Sequence, residues 1–242
     1  LYLLQGRFKE AISQGEKGLE LANELGEIDS QAGFLLSLSY CHYRTGNHKR
    51  ALEELEKSWN IYVELQDLPM QIFAMFAKGM CYVKMQALGE AQRTADEIKK
   101  LVDQSMNRKL IRFYDNMVGR IELKRGNISR ALEQLEKAES LMRYQYTHYD
   151  DHALFIDPLA LAYFKEGDLE KAKLEYEELT HLTLGRTHYG DIYAKTFYML
   201  GKIHEQQDDT AKAIEHYEKF LTLWKDADPG IAEVEDARKR LA

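Results

Sequence analysis

Three groups of side chains in this sequence have the types and spacing for chemistry. His148, Asp150, Asp151 and His152 place two imidazoles and two carboxylates within five residues, and histidines four apart on a helix could share a metal ion. Cys41 and Cys81 are the two thiols. Asn127-Ile128-Ser129 has the pattern of a glycosylation acceptor. Each group also has a structural reading. Thr147-His148-Tyr149-Asp150-Asp151 recurs as Thr187-His188-Tyr189-Gly190-Asp191, as a helix-start signal tied to a longer repeat would. Asn127 falls in a capping slot of that repeat. The cysteines stand one repeat apart, and stacked helices about 10 Å from each other exceed the ~7 Å over which two Cα atoms can be bridged. Both are read as buried free thiols in a reducing compartment. Phosphate-binding glycine loops, HExxH and nucleophile elbows are missing from the sequence. The sequence therefore reads as non-catalytic, with no metal and no cofactor.

The elements behind these residues are set by a repeat. Lys124–Ala138, KRGNISRALEQLEKA, has copies at Arg44–Ser58, Lys165–Leu179 and Gln206–Phe220, and worn ones at Leu4–Gly18 and Lys84–Ile98. The anchoring alanine is Ala11, Ala51, Ala91, Ala131, Ala172 or Ala213, at spacings of 40, 40, 40, 41 and 41. A fixed period of this size predicts a solenoid of stacked helical hairpins. In each copy a helix ends on a cation, then a hinge (Gly6, Gly46, Gly126, Gly167 or Asp208), then Asn47, Asn127, Asp168 or Asp209 as N-cap of a second helix. The third copy, Gln86-Ala87-Leu88-Gly89, has neither hinge glycine nor cap, so that corner is expected to be the least regular. Pro158 lies where a first helix should run, so that either Asp157 caps a helix beginning there or the helix is kinked.

These features resemble the tetratricopeptide repeat. A small residue sits seven before the hinge (Ser39, Gly79, Gly119, Ala160, Gly201), and a ring or imidazole four before it (Tyr2, His42, Tyr82, Tyr163, His204, with Glu122 departing). Large apolar residues sit nine after it (Leu55, Leu135, Tyr176, Tyr217), with Gly15 and Ala95 departing. Because the usual period is 34 residues, the chain looks like a long-helix variant. It is similar to the repeats of bacterial signalling regulators and kinesin light chains.

The resemblance implies an all-α, right-handed superhelical solenoid, a single domain over residues 1–242. Its hairpins are expected at about 1–25 (truncated), 30–66, 67–104, 107–143, 149–184 and 189–225, with a capping helix at 229–241. The chain opens without a methionine and in mid-helix, so it reads as a fragment of a longer protein. Asp67-Leu68-Pro69 should start the third hairpin with a cap and a proline in the first turn. The net charge of −7 argues against nucleic acid as partner, and no apolar run is long enough to cross a membrane. The expected location is cytoplasmic.

In tetratricopeptide arrays the first helices line a concave face. Transferred here, the resemblance implies a peptide-binding groove of Tyr40, Phe73, Phe76, Met80, Phe113, Asn116, Met117, Arg120, Leu161, Tyr198 and Lys202. The same stripe would instead be core if the longer helices bury it between neighbours. Arg44, Lys84, Lys124 and Lys165, followed by Gln206, form either a basic ladder for an acidic peptide or cations that complement helix dipoles. The expected role is a protein-interaction scaffold holding a peptide or protein segment. Alternatives are a sensory or regulatory domain of a multidomain kinase or transcription regulator, and a self-association module; the partner could also be another domain of the parent chain.

Overall fold

The structure is a computed structural model that describes residues 1–142, 151–182 and 188–242. After a 3-10 turn at Leu3–Gln5 come α1 (Phe8–Leu25), α2 (Ile28–Arg44), α3 (His48–Glu64), α4 (Leu68–Lys84) and α5 (Leu88–Gln104). A second 3-10 turn, Arg108–Leu110, leads into α6 (Ile111–Arg125), α7 (Ile128–Ser140), α8 (His152–Glu166) and α9 (Leu169–His181). The chain ends with α10 (Gly190–Gln206), α11 (Thr210–Leu223) and α12 (Ala232–Leu241). The fold is an all-α helical repeat, and among the described residues there is no strand. The contacts sort into two compact units. One is Lys9–Arg143; the other is built from both ends of the chain, Leu1–Phe8 with Tyr144–Ala242.

Consecutive helices pair as α2 with α3, α4 with α5, α6 with α7, α8 with α9 and α10 with α11. The anchoring alanine is the fourth residue of each second helix, and Ala51, Ala91, Ala131 and Ala172 are fully buried. The facing small residue has an equally strict role. A Cβ on Gly119 would lie 2.6 Å from Leu135 Cγ and 3.3 Å from the carbonyl of Ala131; on Gly201 it would lie 2.6 Å from the Tyr217 ring. The large residue nine after the hinge thus fits over the small one seven before it. Where the former is small, a side chain from the following hairpin takes the space. Met117 of α6 reaches Gly79 where Ala95 leaves room, and Leu38 of α2 covers Gly15 of α1.

The corner inside each hairpin uses one device. A residue with positive φ ends the helix, and the next residue donates its N–H to the carbonyl five positions earlier. This is the Schellman closure. Asn47 donates to His42 at 2.8 Å, Asp168 to Tyr163 at 3.0 Å, and Asp209 to His204 at 2.9 Å. The corner at Gln86 does not bear out the expected irregularity. Gln86 takes φ 62° and Ala87 donates to Tyr82 at 2.9 Å, as in its glycine-bearing counterparts. Neighbouring turns dictate the geometry, and the side chain bears the left-handed strain. Gln66 and Asp208 do the same at φ 55° and 58°.

Caps follow the sequence at Asp67, Asp168 and Asp209, whose carboxylates accept from the N–H of the third residue on, at 3.1, 3.1 and 3.3 Å. Asn127 is a correction: it occupies the N-cap position without capping, and its amide Nδ2 donates to Glu122 Oε2 at 2.7 Å. The cause is Glu122, which stands where other copies carry a ring or imidazole. At Pro158 the helix runs through: α8 begins at His152, six residues earlier, so Asp157 is not its cap. The proline leaves the carbonyl of Leu154 without its intrahelical donor.

The left-handed corners supply a stability prediction. Gln86→Gly removes the side-chain strain at φ 62° and should stabilise the protein by about 0.5–1 kcal/mol, whereas Gly126→Ala, at φ 86°, should destabilise it by about 1 kcal/mol. Urea midpoints of the two variants check both signs.

Candidate functional site

In the unit Lys9–Arg143 the first helices α2, α4 and α6 carry eight of the predicted groove residues. Phe76, Met80, Phe113, Asn116 and Met117 are buried, whereas Tyr40, Phe73 and Arg120 are half-exposed. The aromatic residues form one cluster. Phe113 meets Phe76 edge-on at 5.2 Å between centroids and Phe73 at 6.1 Å. Most of the stripe is therefore inter-helix core, and only its rim reaches solvent. Leu36 and Phe73 pack on the cluster of Ala32, Tyr62 and Met70. Leu36 and Ala77 also pack on Ala51, Leu55 and Cys81. Neither Leu36 nor Ala77 is among the groove residues expected from the sequence.

Polar groups concentrate on α6. Arg120 Nε donates to Asn116 Oδ1 at 2.7 Å, and the guanidinium lies 5.7 Å above the Phe76 ring. Asn116 is fully buried, and its Nδ2 has no hydrogen-bond partner among the described residues. Such an orphaned donor costs free energy until something accepts from it. Asp115, also fully buried, is held by Lys137 Nζ at 2.9 Å. Burial alone would raise the Glu122 pKa, but hydrogen bonds from Asn127 and Arg125 outweigh it and hold the carboxyl below its ordinary value. Burial pushes the Cys81 thiol up to about 12, and Cys41 and Cys81 are both buried and free. A thiol with that pKa is almost wholly protonated at pH 8 and a poor nucleophile.

The remaining predicted residues belong to the other unit. Leu161 and Lys202 are half-exposed, and Lys202 Nζ lies 5.8 Å from the Phe164 ring and 5.6 Å from that of Tyr198. Tyr198 is covered by α12: its hydroxyl donates to Asp236 Oδ2 at 2.7 Å. Arg240 then joins Asp236, at 2.7 Å, to Glu205, and Glu205 accepts from the Tyr217 hydroxyl at 2.8 Å. The Arg240 hydrogen bond is the main reason the Asp236 carboxyl sits below its ordinary range. Burial, reinforced by Asp236, raises the Tyr198 phenol. Spacing in the sequence does not reveal this network, although Asp236 and Arg240 fall on one helical face.

His148 and Asp150 lie outside the described residues. Asp151 immediately precedes α8, and Asp191 falls in the first turn of α10, so helices start at both copies of the motif. Among the described residues no three His, Cys, Asp or Glu side chains gather as metal donors. The cations Arg44, Lys84, Lys124 and Lys165 each occupy the last turn of a first helix, where the dipole favours them. No described helix is long and apolar enough to cross a membrane.

One imidazole pair is also unexpected. His204 and His216 stack at 5.2 Å between centroids and 7° between planes, with Phe197 beyond His216 at 6.2 Å. Burial lowers both pKa values below that of an ordinary imidazole. Asp209 and Glu177 oppose this near His204 while Lys212 and Lys173 add to it; near His216, Lys219 and His204 add to it and Glu215 and Glu177 oppose it.

Two measurements follow. As pH falls below about 6.5 the unfolded chain binds protons that the folded imidazoles resist, so stability present above that pH is lost on acidification. The urea midpoint should fall between pH 7.5 and 5, and His216→Phe should flatten that fall. A thiol reagent should modify neither cysteine of the native protein at pH 8 and both after denaturation.

Residues 159–183 and 194–223 match the family model described as tetratricopeptide repeat. They cover most of α8–α9 and α10–α11. No curated protein sequence matches significantly. Among solved structures, BtubC from P. vanneervenii aligns with TM-score 0.57 and 15% identity, over 90% of this chain and 91% of that one. A Rap protein complexed with competence and sporulation factor aligns with TM-score 0.60 and 12% identity, over 99% and 73%. A tetratricopeptide repeat protein from Parabacteroides merdae aligns with TM-score 0.51 and 16% identity, over 97% of each chain. At these identities the likeness is one of fold.

Proposed function

We propose that this chain, two stretches of which match the tetratricopeptide repeat model, is a non-catalytic scaffold that holds a peptide or protein segment. The segment lies on the first helices of the unit Lys9–Arg143. One observation carries this reading: half-exposed Tyr40, Phe73 and Arg120 lie on the first helices that also carry the buried Asn116, whose Nδ2 lacks an acceptor among the described residues. Tyr40, Phe73, Leu36 and Ala77 offer apolar surface for ligand side chains, worth roughly 25 cal/mol per Å² removed from water. Arg120 swings from Asn116 to an acidic group or carbonyl of the ligand, and the uncovered amide donates to the ligand backbone. The buried Phe76, Phe113 and Met117 hold this rim in shape without touching the ligand. The bound factor of the Rap neighbour supports the reading by analogy of fold.

A random peptide library displayed on phage and selected against the whole chain tests it. Enriched peptides should bind the native protein and lose about tenfold or more in affinity to Phe73→Ala and to Arg120→Glu. Circular dichroism of both variants should be unchanged. Failure to enrich any peptide, or affinities indifferent to both substitutions, overturns the proposal.

A further inference from the structure

Charge in the unit Lys9–Arg143 is divided between the two kinds of helix. The first helices α2, α4 and α6 carry formal charges of 0, +2 and +2, whereas α1, α3, α5 and α7 carry −2, −1, −1 and −1. The cations at issue share one register. Arg44, Lys84 and Lys124 stand 40 residues apart, each in the last turn of its helix; Arg44 is half-exposed and the two lysines are exposed. Each follows Tyr40, Met80 or Arg120 by four residues, so it lies one turn further along the same face. The acids of these helices are directed elsewhere. Asp115 meets Lys137 of α7, Glu122 meets Arg125 and Asn127, Asp29 lies at the opposite end of α2, and α4 has none.

Helix dipoles alone do not account for this placement. Every helix of the unit has one, yet α1, α3 and α5 end without a cation in the last turn, and on α7 the last-turn Lys137 is held by Asp115 at 2.9 Å. The cations follow the first helices rather than helix ends in general. Side-by-side packing then sets their spacing. Leu36 of α2 and Phe73 of α4 pack on one cluster, and Phe76 of α4 meets Phe113 of α6 at 5.2 Å between centroids. Neighbouring helices lie about 8–10 Å apart, and an extended chain advances about 3.3 Å per residue. Every third residue of an extended peptide crossing the helices therefore meets the next cation.

We infer that Arg44, Lys84 and Lys124 form a basic ladder beside the proposed groove, and that its ligand is an extended peptide with carboxylates three residues apart. This rests on the groove reading above and names the chemistry of what fills it. Apolar residues between the carboxylates pack on Tyr40 and Phe73, and Arg120 adds a fourth cation one turn inward from Lys124. A peptide is favoured over a nucleic acid because the charge is confined to a few positions beside apolar residues. The chain as a whole is at −7, and its acidic second helices repel a continuous polyanion.

The test measures binding of fluorescein-labelled nonapeptides to the full chain by anisotropy at low salt, where charge pairing is least screened. One peptide has glutamate at its first, fourth and seventh positions with leucine and serine between; its isomer has the three glutamates adjacent. The spaced peptide should bind about tenfold more tightly than the isomer. Lys84→Glu and Lys124→Glu should each weaken it about fivefold, while Arg93→Glu, on α5, should leave it unchanged. Equal affinity of the isomers, no binding of either, or indifference to both lysine variants overturns the ladder. If peptides selected from a library still depend on Phe73 in that case, the groove stands without it; if none does, both readings fall. A short oligothymidylate that binds as tightly as the spaced peptide and depends on Lys84 would make the ladder a nucleic-acid site and overturn the peptide assignment.

Discussion

Close approach of paired helices at small buried residues is the constraint on which the rest of the structure depends. An alanine at the fourth position of each second helix, and a glycine, alanine or serine at the facing point of the first, let the backbones come near enough for a Leu or Tyr to close over the gap. Close-packed interiors feel a change of even one methylene. That sensitivity makes the spacing between hinge, small residue and large residue repeat so regularly. The corners follow from it, because two helices held at one distance and one offset can be joined by few turns. The Schellman closure is the one used inside the hairpins.

The exceptions show how the constraint passes from one hairpin to the next. At Ala95 the large residue is missing, and Met117 of the following first helix fills the space over Gly79. Met117 thereby leaves the surface on which its sequence position alone would put it. Phe76 and Phe113 are drawn inward with it into one aromatic cluster. What remains exposed is a narrow rim with a polar end at Arg120, where Asn116 is left half satisfied. The proposed binding face is thus partly a by-product of an undersized residue on a neighbouring helix.

Much of this was legible in the sequence. The alanines, the hinge glycines and the acidic caps at Asp67, Asp168 and Asp209 act through their nearest backbone neighbours, so spacing reveals them. The rest depends on partners far along the chain. The Gln86 corner looked irregular because its side chain is unsuited to positive φ, yet the flanking helices impose the turn. Asn127 has the type and position of a cap, but a carboxylate on the preceding helix claims its amide. The stacking of His204 on His216, and the cover that α12 gives Tyr198, require knowing which helix faces which. Periodicity reports only one side of such contacts.

The unit formed from both chain ends has a consequence for synthesis. Lys9–Arg143 is contiguous, so its hairpins can assemble as they leave the ribosome. Leu1–Phe8 leaves the ribosome more than two hundred residues ahead of Trp224 and Asp228, and until these have appeared its aromatic and leucine side chains lack the cover they give. A nascent chain halted before that point would display those side chains to any chaperone nearby, and their disappearance would mark completion of the last hairpin.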